Sequence, residues 1–309
     1  DPMSHKKHLS ELKHKLQADS FEAVAREWFT GHSLTWTENH AKRVITRLEN
    51  DVFPWLGSVP IATVEPPDIL QCLKRVESRG ALETAHRIKQ TIGQVFRYAV
   101  ATGRAKRDQT ADLKGALPPV KQKHFAAIVE PSEIGAFLRA CWEYKGSYVV
   151  QSALKVSAYL FTRPGEIRRM EWREVDFNEK RWTIPASKMK ARSSHIVPLP
   201  EQAIAILKDL QPLTGAYDFV FTGARDNRKP MSDGAVRQAI RRLGYSKGEM
   251  TAHGFRAMAS TRLYEMVFSS DLIERQLAHV VGNDVRRAYD RSENLPERRA
   301  MVQHYANYL

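Results

Sequence analysis

Apolar residues recur at spacings of three and four along most of this chain, and the helices they predict fall into two groups. In the first, Asp19 with Glu22 makes a capping-box-like start to "FEAVAREWF", and Thr35 with Glu38 starts a helix reaching about Val52, ahead of Pro54. Pro66-Pro67-Asp68 opens a third, "ILQCLKRVE". The fourth is the clearest: Ala85, Ile88, Ile92, Val95 and Ala99 share one face, and Gly103 closes the run. Four helices with short connections predict a small bundle over residues 17–115. Residues 111–131 break the helical period with two adjacent prolines and several lysines, and an interdomain linker is expected at 116–130.

The second group, residues 131–309, opens with helices near 131–144 and 147–162. "VDFNEKRWTIPA" at 175–186 and "HIVPLP" at 195–200 then carry β-branched and aromatic residues with short polar interruptions, which predicts a small antiparallel sheet. Helical patterning resumes from 201 to the end, apart from "DFVFTG" at 218–223. The expected fold class is mainly α with a small antiparallel β-sheet (α+β): a helical bundle followed by a larger domain.

Charge changes the picture more than composition does. Forty-eight lysines and arginines against 35 acids give a formal net charge of +13, which favours a polyanionic partner. The outer face of the fourth helix carries His86, Arg87, Lys89, Gln90, Gln94 and Arg97 with few acids, and Arg104, Lys106 and Arg107 follow at once. An ordinary solvated face is the plain alternative to a phosphate-contacting one. The candidate phosphate contacts are Arg43, Arg47, Arg87, Lys89, Arg97, Lys106, Arg107, Arg192, Arg237 and Arg241. Cys72 and Cys141 are far apart and fit a reduced cytosolic protein rather than a zinc or redox pair. No apolar run suits a bilayer crossing or a secretion leader, so a membrane role is not expected. The opening "DPMSHKK" reads as an appended segment ahead of an internal start, so the natural chain is expected to extend further toward its N-terminus.

Two arginines stand where a guanidinium is costly. Arg163 lies between an apolar helix and the turn Pro164-Gly165, and Arg256 follows His253 by three residues within helix-forming sequence, so both side chains share one helical face. Fixed guanidinium forks suit the non-bridging oxygens of a phosphodiester. Taken singly, each has a structural alternative: Arg163 with Glu166, and Arg256 with Glu249 or Asp271. No H-E-x-x-H, C-x-x-C, carboxylate cluster or phosphate-binding G-x-x-x-x-G-K-[ST] loop occurs, so neither metal nor nucleotide is expected as a cofactor.

T-R-P-G-E at 162–166, H-G-F-R at 253–256, L-A-H at 277–279 and a tyrosine ten residues on, at 289, together resemble the signature set of the tyrosine recombinases, the phage integrase family. The C-terminal wording is most similar to integrases of prophages and genomic islands. The resemblance implies that Arg163 and Arg256 hold the scissile phosphate, that His253 and His279 assist by hydrogen bonding and proton transfer, and that Tyr289 is the nucleophile. It also implies a β-hairpin lysine acting as general acid on the leaving 5′-oxygen. Counting eight back from Pro198 gives Lys190, with Lys188 as the competing choice.

The implied activity is site-specific DNA strand cleavage and rejoining through a 3′-phosphotyrosine, for integration or excision of a mobile element. The implied partners are double-stranded DNA attachment sites, further copies of the chain in a tetramer on DNA with residues from about 293 onward exchanged between neighbours, and accessory DNA-bending or directionality proteins, in the bacterial cytoplasm at the nucleoid. Rival expectations are a type IB topoisomerase-like enzyme and a catalytically silent DNA-binding protein on the same scaffold. Many relatives carry Gly where this chain has Ala278, and integrases of this kind usually have an additional N-terminal arm-binding domain.

Overall fold

The computed structural model describes residues 17–120, 125–189, 192–279 and 294–309. It divides into two compact units, residues 1–122 and 123–309. In the first unit the main helices are α1 (Phe21–Ser33), α2 (Glu38–Asp51), the single turn α3 (Phe53–Leu56), α4 (Pro66–Ser78) and α5 (Leu82–Ala101). The three-and-four spacing read in α5 does select its buried face: Ala85, Ile88, Ile92, Val95 and Ala99 are fully buried with Phe96. They pack with Phe21, Leu48, Ile69 and Leu73 in one core, and Gly103, at φ 74°, follows the end of the helix.

The N-caps differ from those expected. Ser20 rather than Asp19 caps α1, accepting from the Ala23 N–H, and Ser20 is itself fixed by a bridge to Pro60. Thr37 rather than Thr35 caps α2, because the Thr35 hydroxyl is already given to the His32 carbonyl at the end of α1. The expected linker at 116–130 is not uniformly free chain: Leu117 lies in the core of the first unit and Ile128 in that of the second.

The second unit is built around α7 (Tyr148–Leu160), whose residues from Ser152 to Leu160 are buried except Lys155. Around it stand α6 (Pro131–Trp142), the short α8 (Pro164–Arg168), α9 (Glu201–Thr214), α10 (Ala235–Arg242), α11 (Gly254–Glu265), α12 (Ser270–Gln276) and α13 (Leu295–Tyr308). Three strands, β1 (Val175–Asp176), β2 (Arg181–Ile184) and β3 (His195–Pro198), form an antiparallel sheet in the order β1-β2-β3, with Trp182 opposite Val197. "DFVFTG" makes only isolated bridges, Phe219 to Glu171 and Thr222 to Pro230.

Two buried polar clusters fasten this unit. At the base of the hairpin, the Lys188 ammonium donates to the carboxylates of Glu171 and Glu174 and to the Arg169 carbonyl, while Glu174 also accepts from the Trp182 indole at 3.0 Å. Where β3 meets α12 and α13, His195 Nε2 lies 3.2 Å from the Gln276 carbonyl, and Arg298 reaches the Gln276 side-chain oxygen and the Ile196 carbonyl. A carbonyl can only accept, so His195 carries its proton on Nε2.

Both clusters have measurable consequences. Lys188→Met leaves the buried Glu174 carboxylate without its cation and Glu171 with Arg173 alone, and should cost about 3–5 kcal/mol in denaturant unfolding at pH 7. His195 is held neutral: burial first, then the charges of Arg298, Arg163 and Arg256, push its pKa from 6.5 down to about 3. The unfolded chain therefore takes up this proton at a pH where the folded protein refuses it. Stability from this group is complete above pH 6.5 and drains away as pH falls toward 3, by up to about 1.4 kcal/mol per pH unit. Between pH 7 and pH 5 the loss should be about 2 kcal/mol smaller in His195→Asn than in the unchanged protein.

Candidate active site

The strand of backbone that presents Arg163 is set by a departure from helical geometry. Helix α7 ends at Phe161, which adopts the left-handed conformation at φ 40° although it has a side chain. That conformation costs a non-glycine residue about 1–2 kcal/mol. It is retained because the Phe161 ring is wholly buried beside Tyr305, with centroids 5.3 Å apart, in a core shared with Leu263, Ile273, Leu277 and Met301. The reversal leaves the Phe161 carbonyl accepting from Arg256 Nη1 at 3.1 Å and puts Arg163, two residues on, at the start of α8.

Arg163 is then fixed from two sides. Glu166, one turn later and almost fully buried, accepts from the Arg163 backbone N–H at 2.8 Å and from its Nη1 at 2.8 Å. Nη2 donates to the Ala278 carbonyl at 3.0 Å. The ion pair with Glu166, one of the readings open in the sequence, is present, and it orients a guanidinium that is still about a quarter exposed.

Arg256 differs in kind. It is 8% exposed, and its described acceptors are neutral: the carbonyls of Phe161 and of Leu277, the latter at 2.7 Å, and His279 Nε2 at 3.0 Å. Among the described residues neither Glu249 nor Asp271 pairs with it, and no other carboxylate does. Burial and then the nearby charge of Arg163 lower its pKa to about 10, which leaves it charged at neutral pH. Among the described residues the site thus holds two neighbouring guanidinium groups, of which only Arg163 is directly paired with a carboxylate, an arrangement suited to an anion.

The histidines complete the rim. Because a guanidinium has no lone pair to offer, His279 Nε2 accepts from Arg256, and its Nδ1–H donates to Glu274 at 2.7 Å. Glu274 therefore fixes the tautomer. His253 immediately precedes α11 without a capping hydrogen bond from its side chain, and its ring stacks on Phe125, with centroids 4.5 Å apart and planes 20° from parallel. Its pKa is lowered, first by burial and then by Arg256 and Arg163, so it is neutral at neutral pH. Gly254 beside it makes room for the chain carrying Phe125: a Cβ there would lie 2.7 Å from the Ala126 carbonyl, which accepts from Thr251.

The structure accordingly gathers Arg163, Arg256, His253 and His279. Lys190 and Tyr289 lie outside the described residues. Lys188, the competing lysine, is committed to Glu171, Glu174 and the Arg169 carbonyl in the hairpin base. Ala278 sits at φ 49°, a conformation that glycine enters without strain. Gln276 and Phe125 were not singled out by the sequence, since their roles come from contacts between elements distant in it, and neither was Glu274, five residues before His279.

The basic residues separate into two kinds. In the first unit Arg43, Arg47 and Arg87 line one cleft of about 490 Å³ with Trp36, His40 and Gln94. Lys106 is exposed. Lys89 is turned to the Leu113 carbonyl, and Arg97 and Arg107 pair with Asp108 and Asp112. In the second unit Arg192 and Arg237 are exposed, whereas Arg241 holds the carbonyls of Tyr245 and Met250 and so braces the turn before H-G-F-R. No helix among the described residues is long and apolar enough to cross a membrane.

The chain is similar to known proteins in sequence and in fold. Residues 21–116 match the phage integrase central domain and residues 128–294 the phage integrase family, a span that includes Arg163, Lys190, His253, Arg256, His279 and Tyr289. The chain is 37% identical over 292 residues to the integrase of Shigella phage Sf6, covering 94% of this chain and 75% of that protein. It is 38% identical over 307 residues to the integrase of Enterobacteria phage P4, covering 94% and 70%. In fold it is similar to the lambda integrase tetramer bound to a Holliday junction, with a TM-score of 0.70 at 17% identity over 89% of this chain and 82% of that one. A Tn1549 transposon integrase in complex with circular intermediate DNA gives 0.65 at 15% identity over 90% and 98%. The two matched domains and the identity over nearly the whole chain place this protein in the phage integrase family, as a site-specific tyrosine recombinase.

Proposed function

We propose that Arg163 and Arg256 hold the non-bridging oxygens of a scissile phosphodiester and that Tyr289 attacks its phosphorus. The observation that carries this reading is Arg256: a buried cation among neutral acceptors, next to a second guanidinium, gains most from an anion placed against both. The phenol oxygen forms the new bond to phosphorus as the bond to the 5′-oxygen breaks. The phenolic proton passes to a site base, for which His253, held neutral, is suited, and Lys190 protonates the departing 5′-oxygen. The products are a 3′-phosphotyrosine and a free 5′-hydroxyl. Attack by the 5′-hydroxyl of another strand reverses the bookkeeping and joins the two DNAs, so no nucleotide is consumed.

Phenol, with a pKa near 10, is a weak nucleophile at neutral pH. Adjacent guanidinium charge favours the phenolate and the charge developing on phosphorus, and each positioned acid or base contributes about 10²- to 10⁴-fold in rate. Glu274 keeps His279 Nε2 directed at Arg256. In this reading Arg43, Arg47, Arg87, Lys106, Arg192 and Arg237 bind the DNA backbone, while Lys89, Arg97, Arg107 and Arg241 act through the internal partners described above. The partners are duplex attachment sites and further copies of this chain, assembled as a tetramer on two sites with accessory bending proteins, in the bacterial cytoplasm. The bundle at 17–115, the linker at 116–130 and the catalytic domain at 131–309 divide the work between DNA grip and chemistry.

Capture of protein–DNA adducts from DNA flanking the gene, followed by sequencing of their ends, tests the reaction. The unchanged protein should leave a 3′-linked adduct at one recurrent position, and Tyr289→Phe should leave none while still retaining DNA. Persistence of the adduct in Tyr289→Phe would sink the nucleophile assignment, and retention of DNA without any adduct in the unchanged protein would favour a silent binder. Arg256→Ala should slow adduct formation by about 10²-fold or more. Affinity for the captured site should fall with salt at a slope of about −0.9 per phosphate neutralised. A flat response between 50 and 200 mM, the range over which about 10³-fold is lost for six contacts, would refute the backbone contacts.

A further inference from the structure

We propose that Arg298, in the C-terminal helix, is a positioning residue for strand cleavage, acting through Gln276 on the turn that holds both phosphate-binding arginines. The proposal rests on the roles assigned above to Arg163 and Arg256. That turn, Gln276 to His279, is where the site's supports converge: Leu277 offers its carbonyl to Arg256, Ala278 offers its own to Arg163, and His279 accepts from Arg256. Ala278 is at φ 49°, so the turn is not one the local sequence favours unaided. Backbone bonds from Ala278 to the Arg275 carbonyl and from His279 to the Glu274 carbonyl close it locally, and side chains from other elements brace it.

Gln276, immediately before the turn, is completely buried, which is unusual for an amide side chain. Its oxygen is fixed by Arg298, which donates from Nε at 3.2 Å and from Nη2 at 2.8 Å; a guanidinium only donates, so the amide cannot be turned the other way. Its main-chain carbonyl receives His195 Nε2. Its Nε2 has no partner among the described residues, so the contact with Arg298 is what accounts for a glutamine in this place. Arg298 is itself 2% exposed and also donates to the Ile196 carbonyl at 2.6 Å, which ties the turn to β3. A guanidinium from α13 and an imidazole from β3 therefore grip opposite sides of one residue. The next two carbonyls in the chain aim the catalytic cations. Docking of α13 therefore bears on both arginines through one residue.

The test uses the full chain and the duplex recovered by adduct capture, nicked to trap the cleaved state, with unchanged protein, Arg298→Met, Arg298→Lys, Gln276→Met and the double variant Gln276→Met/Arg298→Met. Folding is checked by circular dichroism, and DNA affinity is measured separately from the cleavage rate at saturating DNA. A small misplacement of catalytic groups costs up to about 100-fold in rate. Arg298→Met should lower the saturated cleavage rate about 10- to 100-fold with affinity unchanged. Arg298→Lys, which keeps the charge and one donor but loses the fork, should recover part of the rate, and the double variant should be no slower than Arg298→Met. A purely structural arginine would instead lower the folded fraction and leave the rate per folded molecule unchanged. Unaltered saturated rates in folded Arg298→Lys and Arg298→Met, a loss confined to affinity, or losses that multiply in the double variant would each overturn the proposal. Absence of cleavage by the unchanged protein would instead overturn the functional reading beneath it.

Discussion

The rest of the catalytic unit depends on keeping one guanidinium charged in a place that disfavours charge. Arg256 is buried, sits close to a second cation, and has only neutral acceptors among the described residues. Desolvating such a group costs several kcal/mol even after relaxation, and three hydrogen bonds from carbonyls and an imidazole recover only part of it. The fold spends packing energy to supply those acceptors. Phe161 is held in a left-handed conformation by a buried aromatic contact, and Ala278 by the anchoring of Gln276. Strained backbone at both places delivers carbonyls that a regular helix would have used internally. The deficit that remains is what the phosphate of the proposed function would fill.

The same economy explains why a neutral His253 suits the site. A protonated imidazole there would add charge beside two guanidinium groups. Burial and the arginines themselves keep His253 neutral, so it retains a lone pair available to a phenolic proton. His279 is oriented by hydrogen bonds, its Nδ1–H donating to Glu274 and its Nε2 accepting from Arg256. The cations that would bind the phosphate also preserve the base.

Legibility in the sequence followed the range of the interactions. The helices of both units were readable because burial selects residues three and four apart on one chain segment, as Ala85 to Ala99 show. Their starting points were less so: Asp19 and Ser20 can both cap, and the choice was made by Pro60, forty residues away. Glu166 could be suspected as a partner of Arg163 from its spacing alone. Nothing local marks Phe125 as the residue stacked on His253, or Gln276 as the anchor of the arginine-bearing turn, since each meets its partner only after elements distant in sequence have packed. Lys188 shows the converse. Its place near the hairpin admitted a catalytic reading, and two glutamates on a neighbouring turn commit it to structure.

Convergence of the supports on one turn has a further consequence for how the unit is assembled. The carbonyls of Phe161, Leu277 and Ala278 come from two short non-helical stretches, and both stretches are packed against α13, through Tyr305 on one side and Arg298 on the other. The last helix of the chain is therefore not an appendage to the catalytic unit but one wall of it. Removing it would uncover the Phe161 ring that stabilises one strained turn and the Gln276 oxygen that stabilises the other. A buried amide and a buried aromatic left without partners cannot both be satisfied by water in the same conformation. Arg256 would then lose the carbonyls of Phe161 and Leu277, and Arg163 that of Ala278 while keeping Glu166, so under the proposed function phosphate binding is coupled to where the C-terminal helix lies.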